Sequence, residues 1–356
     1  MPEYLTIDTE LWVSKRPESA FNTPPTLGAD FLSLVSLNPF WFLPEVDKIT
    51  NAGRVGVGSE FPTIQCNDYW SHPAVGISND QELFGVMGRL WLRGFGGAVA
   101  ITDALADGKR HTSKLITKAE GRQLPSSSMI VKNGPADVLL AGMVVESMQL
   151  SKERNGFPTL SFNMLGSGLH AFPHAVASLP GYTTPGECAL AGDLVVQYTK
   201  EDSTVVDLAG EAGCRFRAFN IQIANNHKVQ DKCPGDNALT QNGGTANYVS
   251  KLLRQARSIG IEFTFVADED IIEYPQYVAN EVITDVDVAI QGAVIGAGPS
   301  RYQLGIHLEK AVFSAVRAID SEGDVAYTAT ILPFFDPVTS AAAQGYVQNG
   351  ELTNFD

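Results

Sequence analysis

A mainly β fold, a sandwich or barrel with a helix packed beside it, is what this sequence predicts, and three observations carry the prediction. Apolar and polar residues alternate over many short runs, 33 glycines and 19 prolines are scattered between those runs, and one stretch alone has clear helical spacing. At 356 residues, 44% hydrophobic and 18% charged, the chain can bury one large core or two smaller ones without metals or disulfide staples.

Leu5, Ile7, Leu11 and Val13 alternate along a first strand. In the following KRPESAFNTPPT, Pro17, Pro24 and Pro25 forbid regular pairing, so residues 14–30 read as an extended N-terminal arm. Phe31 to Leu43 is the most apolar run, and its cluster of Phe40, Trp41 and Phe42 is either core or an apolar subunit contact. Between Gln81 and Gly97 the spacing of Leu83, Val86, Met87, Leu90 and Leu92 predicts the helix, with Asp80 as N-cap and Gly94 as stop. A second helical turn is expected from Pro135 to Ala141, punctuated by proline and Gly142.

From there the period is two. Val144, Glu146, Met148 and Leu150 alternate with Val145, Ser147, Gln149 and Ser151, Asn155-Gly156 supplies a turn, and Leu160, Phe162 and Met164 share the inward face of a returning strand. Residues 169–193 read as irregular. Arg215 to Val229 (RFRAFNIQIANNHKV) repeats the strand-and-turn habit of residues 139–168, and a polar loop at 230–247 leads to a brief helix over 247–257. Ile259, Ile261, Phe263 and Phe265 form another strand, and four more follow around 286–290, 302–308, 312–319 and 325–331.

The formal net charge of -15 excludes a conventional nucleic-acid binder, which needs lysine and arginine to neutralise phosphates. Residues 261–356 hold 15 Asp and Glu against 3 Lys and Arg, a local net of -12, so one part of the molecule carries most of the field. Cys66, Cys188, Cys214 and Cys233 lack any metal-binding or disulfide spacing and read as reduced thiols. The opening MPEYLTIDTE has no basic-then-apolar leader pattern and no apolar run reaches membrane-helix length, so synthesis in a cytoplasm and no membrane partner are expected.

Patterns that might carry chemistry fall short. His170 and His174 are four apart, but Pro173 separates them and no glutamate adjoins His170, so the zinc-helix requirement fails. Gly94, Gly96 and Gly97 follow a helix where a phosphate-binding loop needs a strand, and Ser167 lies in a hairpin rather than a nucleophile elbow. Asp268, Glu269 and Asp270 lack the spacing of a calcium loop. No catalytic residue, cofactor or metal is expected. Asp285 and Asp287 alternate with Val286 and Val288, giving one strand an apolar and an acidic face.

Five segments together resemble the tail tube (major tail) proteins of long-tailed bacteriophages: KRPESAFNTPP (Lys15 to Pro25), PAVGISNDQELFG (Pro73 to Gly85), KRHTSKLITKAEGRQLPSSSMIV (Lys109 to Val131), the AGMVVESMQLSKERNGFPTLSFNMLGSG hairpin and FNIQIANNH. The resemblance implies a structural virion protein without enzymatic activity. Its β-sandwich with a flanking helix would assemble into stacked rings, usually six-fold, whose inner sheets join into one continuous barrel around a DNA channel. It also implies other tail proteins as partners: tape measure, terminator and distal tail.

Acids on polar strand faces, first among them Asp285, Asp287, Glu262 and Glu146, are expected to point into the bore and hold DNA off the wall. Pro17, Phe21, Pro24 and Pro25 of the arm, with Asp231 and Asp236 of the 230–247 loop, are the expected ring-to-ring contacts. Residues 1–356 form either one enlarged tube domain in hexameric rings, the favoured reading, or two fused domains, about 1–190 and 191–356, in trimeric rings. The competing function is a carbohydrate-binding or glycan-cleaving β-sandwich, which needs exposed Trp or Tyr in a groove and, for cleavage, paired carboxylates; Trp12 and Trp70 are its candidates.

Overall fold

In the computed structural model of the chain, the structure describes residues 9–34, 46–50, 65–70, 74–79, 83–104, 107–133, 136–154, 156–171, 176, 178–181, 189–210, 216–229, 239–241, 244–246, 252–266, 273–321, 324–351 and 355. In order, the first half holds β1 (Thr9–Ser14), β2 (Phe31–Leu34), β3 (Val46–Thr50), β4 (Gln65–Trp70), β5 (Ala74–Asn79), α1 (Val86–Phe95), β6 (Ala100–Ala104), β7 (Lys109–Lys114), β8 (Ser127–Asn133), β9 (Ala136–Glu153), β10 (Thr159–Leu165) and β11 (His170–Ala171). The second half holds β12 (Ala189–Thr199), β13 (Val205–Asp207), β14 (Phe216–Ala224), β15 (His227–Val229), β16 (Leu239–Gln241), β17 (Gly244–Ala246), β18 (Leu252–Arg254), β19 (Ser258–Val266), α2 (Glu273–Ala279), β20 (Val282–Val294), β21 (Arg301–Ser321), β22 (Asp324–Pro333) and β23 (Gln344–Asn349).

Two long strands organise everything else. The first half of β9 pairs with β8 and β11, and its second half with β10 on one edge and β14 on the other. Likewise β21 begins against β20 and β23 and ends against β22. One sheet therefore runs β5-β10-β9-β14-β19-β22-β21, and a second runs β13-β12-β20-β21-β23-β7-β6. Pairings such as β9 with β14 and β7 with β23 join the two halves of the sequence.

Alternation sets the inner face. Leu160, Leu150, Ile221, Ile261, Ile331 and Phe313 stand opposite one another in register across the first sheet, and all are buried. Helix α1 fills the space between the sheets. All ten of its residues are buried, Trp91 Nε1 donates to Gly305 O of β21 at 3.0 Å, and Trp91 packs edge-on against Phe95. The helix is thus beside a sheet, as expected, but covered around its whole circumference.

Several expected elements differ. The helical turn at 135–141 is the start of β9, because VLLA is apolar on both faces and buried as strand, which punctuation by Pro135 and Gly142 disguises. Helix α1 ends at Gly96, at φ 85°, and Gly94 lies inside it. Within the expected 247–257 helix, residues 252–254 are strand β18 paired with β15, and β19 begins at Ser258. The strands expected at 302–308 and 312–319 are one, since nothing in HLEKAVF breaks an extended backbone. Helix α2, with Pro275 in its first turn, was not foreseen. Asp80, Phe40, Trp41, Phe42, His174, Asp231, Asp236, the 268–270 acids, Cys188, Cys214 and Cys233 lie outside the described residues.

Candidate bore face, arm and sheet edges

The outward face of the first sheet is hydrophilic and mostly uncharged. Gln149 stands opposite Gln222 on one side and Ser161 on the other; Ser151 stands opposite Asn220, Asn220 opposite Glu262, and Glu262 opposite Thr330. Side chains bond laterally across the strands: Gln149 Nε2 donates to Asn220 Oδ1 at 2.8 Å and Asn163 Nδ2 to Ser147 Oγ at 2.9 Å. Glu262 and Arg317 bring charge to this face, and both are exposed.

The four expected bore acids do not share this face. Glu262 is on it. Glu146 sits at a bulge in β9, where its carboxylate accepts from His227 Nδ1 at 2.5 Å and from the His227 backbone N–H at 2.9 Å. Burial pushes the Glu146 carboxyl up, but the side-chain and backbone hydrogen bonds from His227 outweigh it and hold the group below its ordinary range. Asp287 belongs to the second sheet, where burial raises its pKa against the opposing hydrogen bond from Tyr346 Oη at 2.6 Å. Burial, with the Asp287 charge, in turn raises the Tyr346 phenol, whose ring carries Arg110 at 4.6 Å. Asp285 is exposed at φ 49°, beside His307 and Glu309, with ligand atoms within 4.8 Å of one another.

The arm is fastened to its own chain. Glu18 accepts from Ser126 Oγ at 2.6 Å, Ser128 Oγ at 2.5 Å, Gly142 N at 3.0 Å and Asn22 N at 3.0 Å. Two arginines one turn apart on α1 hold its start: Arg89 donates to Lys15 O at 3.1 Å, and Arg93 to Lys15 O at 2.6 Å, Ser14 O at 2.9 Å and Ser127 Oγ at 2.7 Å. Phe21 packs against Val144 and Leu252, while Pro17, Pro24 and Pro25 are half-buried. Arg89 and Arg93 were missed in the sequence; their signal is an arginine pair four apart inside an otherwise apolar helix face. Arg89 also bonds Glu351 at 2.5 Å and lies 4.0 Å over the Phe355 ring, tying the C-terminal residues to the same helix.

Trp12 is 4% exposed and donates to Pro180 O at 3.0 Å, which removes it as a sugar-stacking surface. The cleft of about 420 Å³ beside the β9–β10 turn is lined by Phe157 and Phe219 as its aromatic residues, with Glu153 and Glu262, and no Trp or Tyr contributes.

A model of phage tail tube proteins matches residues 77–333, from β5 to the end of β22. The chain belongs to the phage tail tube protein family. Among solved structures, the SPP1 tail tube, determined by solid-state NMR and cryo-electron microscopy, aligns with 10% identity over 46% of this chain and 81% of that one, at a TM-score of 0.26. No curated protein matches in sequence. As a tail tube protein it is a structural component of the virion tail, and the carbohydrate-directed reading is not favoured.

Proposed function

We propose that copies of this chain polymerise, by side-to-side and head-to-tail contacts, into a hollow tube through which the genome passes, with the outward face of the first sheet lining the bore. The observation that carries the reading is that face's composition. Serine, threonine, asparagine and glutamine bind water without offering cations to phosphate, so apart from Arg317 a passing duplex meets little to hold it. Of the four acids, Glu262 is the one assigned to the bore; Glu146 and Asp287 serve contacts within the chain, and Asp285 belongs to the second sheet. Rings stacked head to tail make a filament by construction. Within the virion, made from subunits synthesised in the host cytoplasm, the tube ends would meet terminator and distal tail proteins and the bore a tape measure. The arm's prolines and the 230–247 loop are assigned to contacts between rings.

The test begins with electron microscopy of the purified chain, which should show tubes. In a background with the four native cysteines replaced, Glu262→Cys should react with a bulky maleimide as monomer and be shielded in tubes, whereas Asp202→Cys, on the exposed 200–204 turn, stays reactive in both. Full labelling of Glu262→Cys along intact tubes would refute the bore assignment.

A further inference from the structure

Two halves of the chain repeat one topology. In the first, β1 pairs with β2 and β8, β8 with the first half of β9, the second half of β9 with β10, β10 with β5, and β11 returns to the first half of β9. In the second, β12 pairs with β13 and β20, β20 with the first half of β21, the second half of β21 with β22, β22 with β19, and β23 returns to the first half of β21. Every ladder is antiparallel and the order along the chain is the same. A helix follows β5 as another follows β19.

The irregularities repeat as well. Each long strand bulges as it enters the first sheet, at Glu146 in β9 and at Ser314 in β21, 168 positions apart. Bulges are local devices that a sheet does not acquire by chance at matched places. Residues 147–153 of β9 therefore correspond to 315–321 of β21.

The halves differ in what is added to this shared frame, such as the β6–β7 hairpin between α1 and β8, and one difference lies at a strand edge. Residues 147–153 of β9 are covered by β14, the strand that leads into the β19 side of the second unit. The Glu146 bulge is covered too: its carbonyl accepts from Asn225 N at 2.8 Å. Among the described residues no strand pairs with the matching edge 315–321, which carries Ile319 at 38% exposure where its counterpart Ser151 faces Asn220. Ser314 is exposed where Glu146 is half-buried.

From this repeat we infer that the chain is two tube units in tandem, and that the β9–β14 seam inside one chain is copied between chains. Residues 315–321 of β21 receive a first-unit strand of the neighbouring copy, in the position that β14 takes against residues 147–153 within the chain. An open strand edge is a template for pairing, and here the partner is a second copy of the same chain. Three chains then supply the six units of the six-fold ring that the family resemblance implies, alternating covalent and non-covalent seams around one closed sheet. This replaces the hexamer favoured from the sequence with its two-domain, trimeric alternative and rests on the tube-forming reading above.

Symmetry averaging of images of assembled tubes should give three chains per ring with pseudo-six-fold walls. Hydrogen exchange read by mass spectrometry should show the amides of 315–321 that point away from β22 fast in monomers and strongly slowed in tubes, while residues 147–153, paired on both edges, are slow in both. Tubes with six chains per ring would overturn the tandem-unit inference and leave tube formation intact; unchanged exchange at 315–321 on assembly would overturn the seam. Failure to form tubes at all would instead refute the proposed function.

Discussion

His111 shows how a single side chain couples the body of this protein to its C-terminal end. It is fully buried, stacks on Phe355 at 4.1 Å, and its Nε2 lies 3.2 Å from Glu351 O. Burial lowers its pKa, opposed by the hydrogen bond to Glu351. A histidine depressed in the folded state binds fewer protons than in the unfolded chain, so its contribution to stability is complete above the ordinary value of about 6.5 and is lost as pH falls below it. His170, also lowered by burial, acts with the same sign. Melting temperature should therefore drop on acidification, and His111→Phe, which keeps the stack and removes the titration, should make that drop shallower. An identical acid slope in both proteins would refute the assignment. None of this was legible in the sequence, because the ring's partners lie some 240 positions away.

At the scale of elements, hydrophobic alternation made most strands readable, including the hairpin of β9 and β10 and the strands β14 and β19, since a half-buried sheet imposes period two on the chain. What escaped was the length of β9 and β21, because each changes sheet partway, β9 being apolar on both faces in its first part while β21 alternates there with no break in the chain. The true repeat was hidden for the same reason: the 215–229 segment resembles the hairpin in pattern, but it is the strand laid against it, and the hairpin's counterpart is β21 and β22. Gly142 marks the change of partner in β9. It has φ 64°, and a Cβ there would lie 2.1 Å from Asn22 Oδ1 and 2.8 Å from Ser167 Oγ. Gly142→Ala should cost roughly 2 kcal/mol in chemical denaturation, against less than about 0.5 kcal/mol for Gly181→Ala, a site with nothing near its Cβ. Equal losses would show that the kink is not under steric control.

For the whole molecule, charge opposes the assembly that the sheet edges favour. Each copy carries -15, and the family places many copies side by side, so every seam forms against repulsion between like-charged bodies. That the chain is acidic was plain from composition; that the acids are spread over both sheets, with Glu262 on one and Asp285 and Asp287 on the other, needed the strand register. Strand pairing and burial of residues such as Ile319 act at contact range, whereas the repulsion reaches a Debye length, about 30 Å at 0.01 M salt and about 8 Å at 0.15 M. Salt should therefore screen the barrier to encounter far more than it weakens the seam. Polymerisation followed by light scattering should speed up steeply between those two ionic strengths, and tubes once formed should resist dilution into low salt longer than monomers take to assemble there. Slower growth with added salt would mean that attraction between complementary charged patches, and not the pairing of neutral edges, drives the copies together.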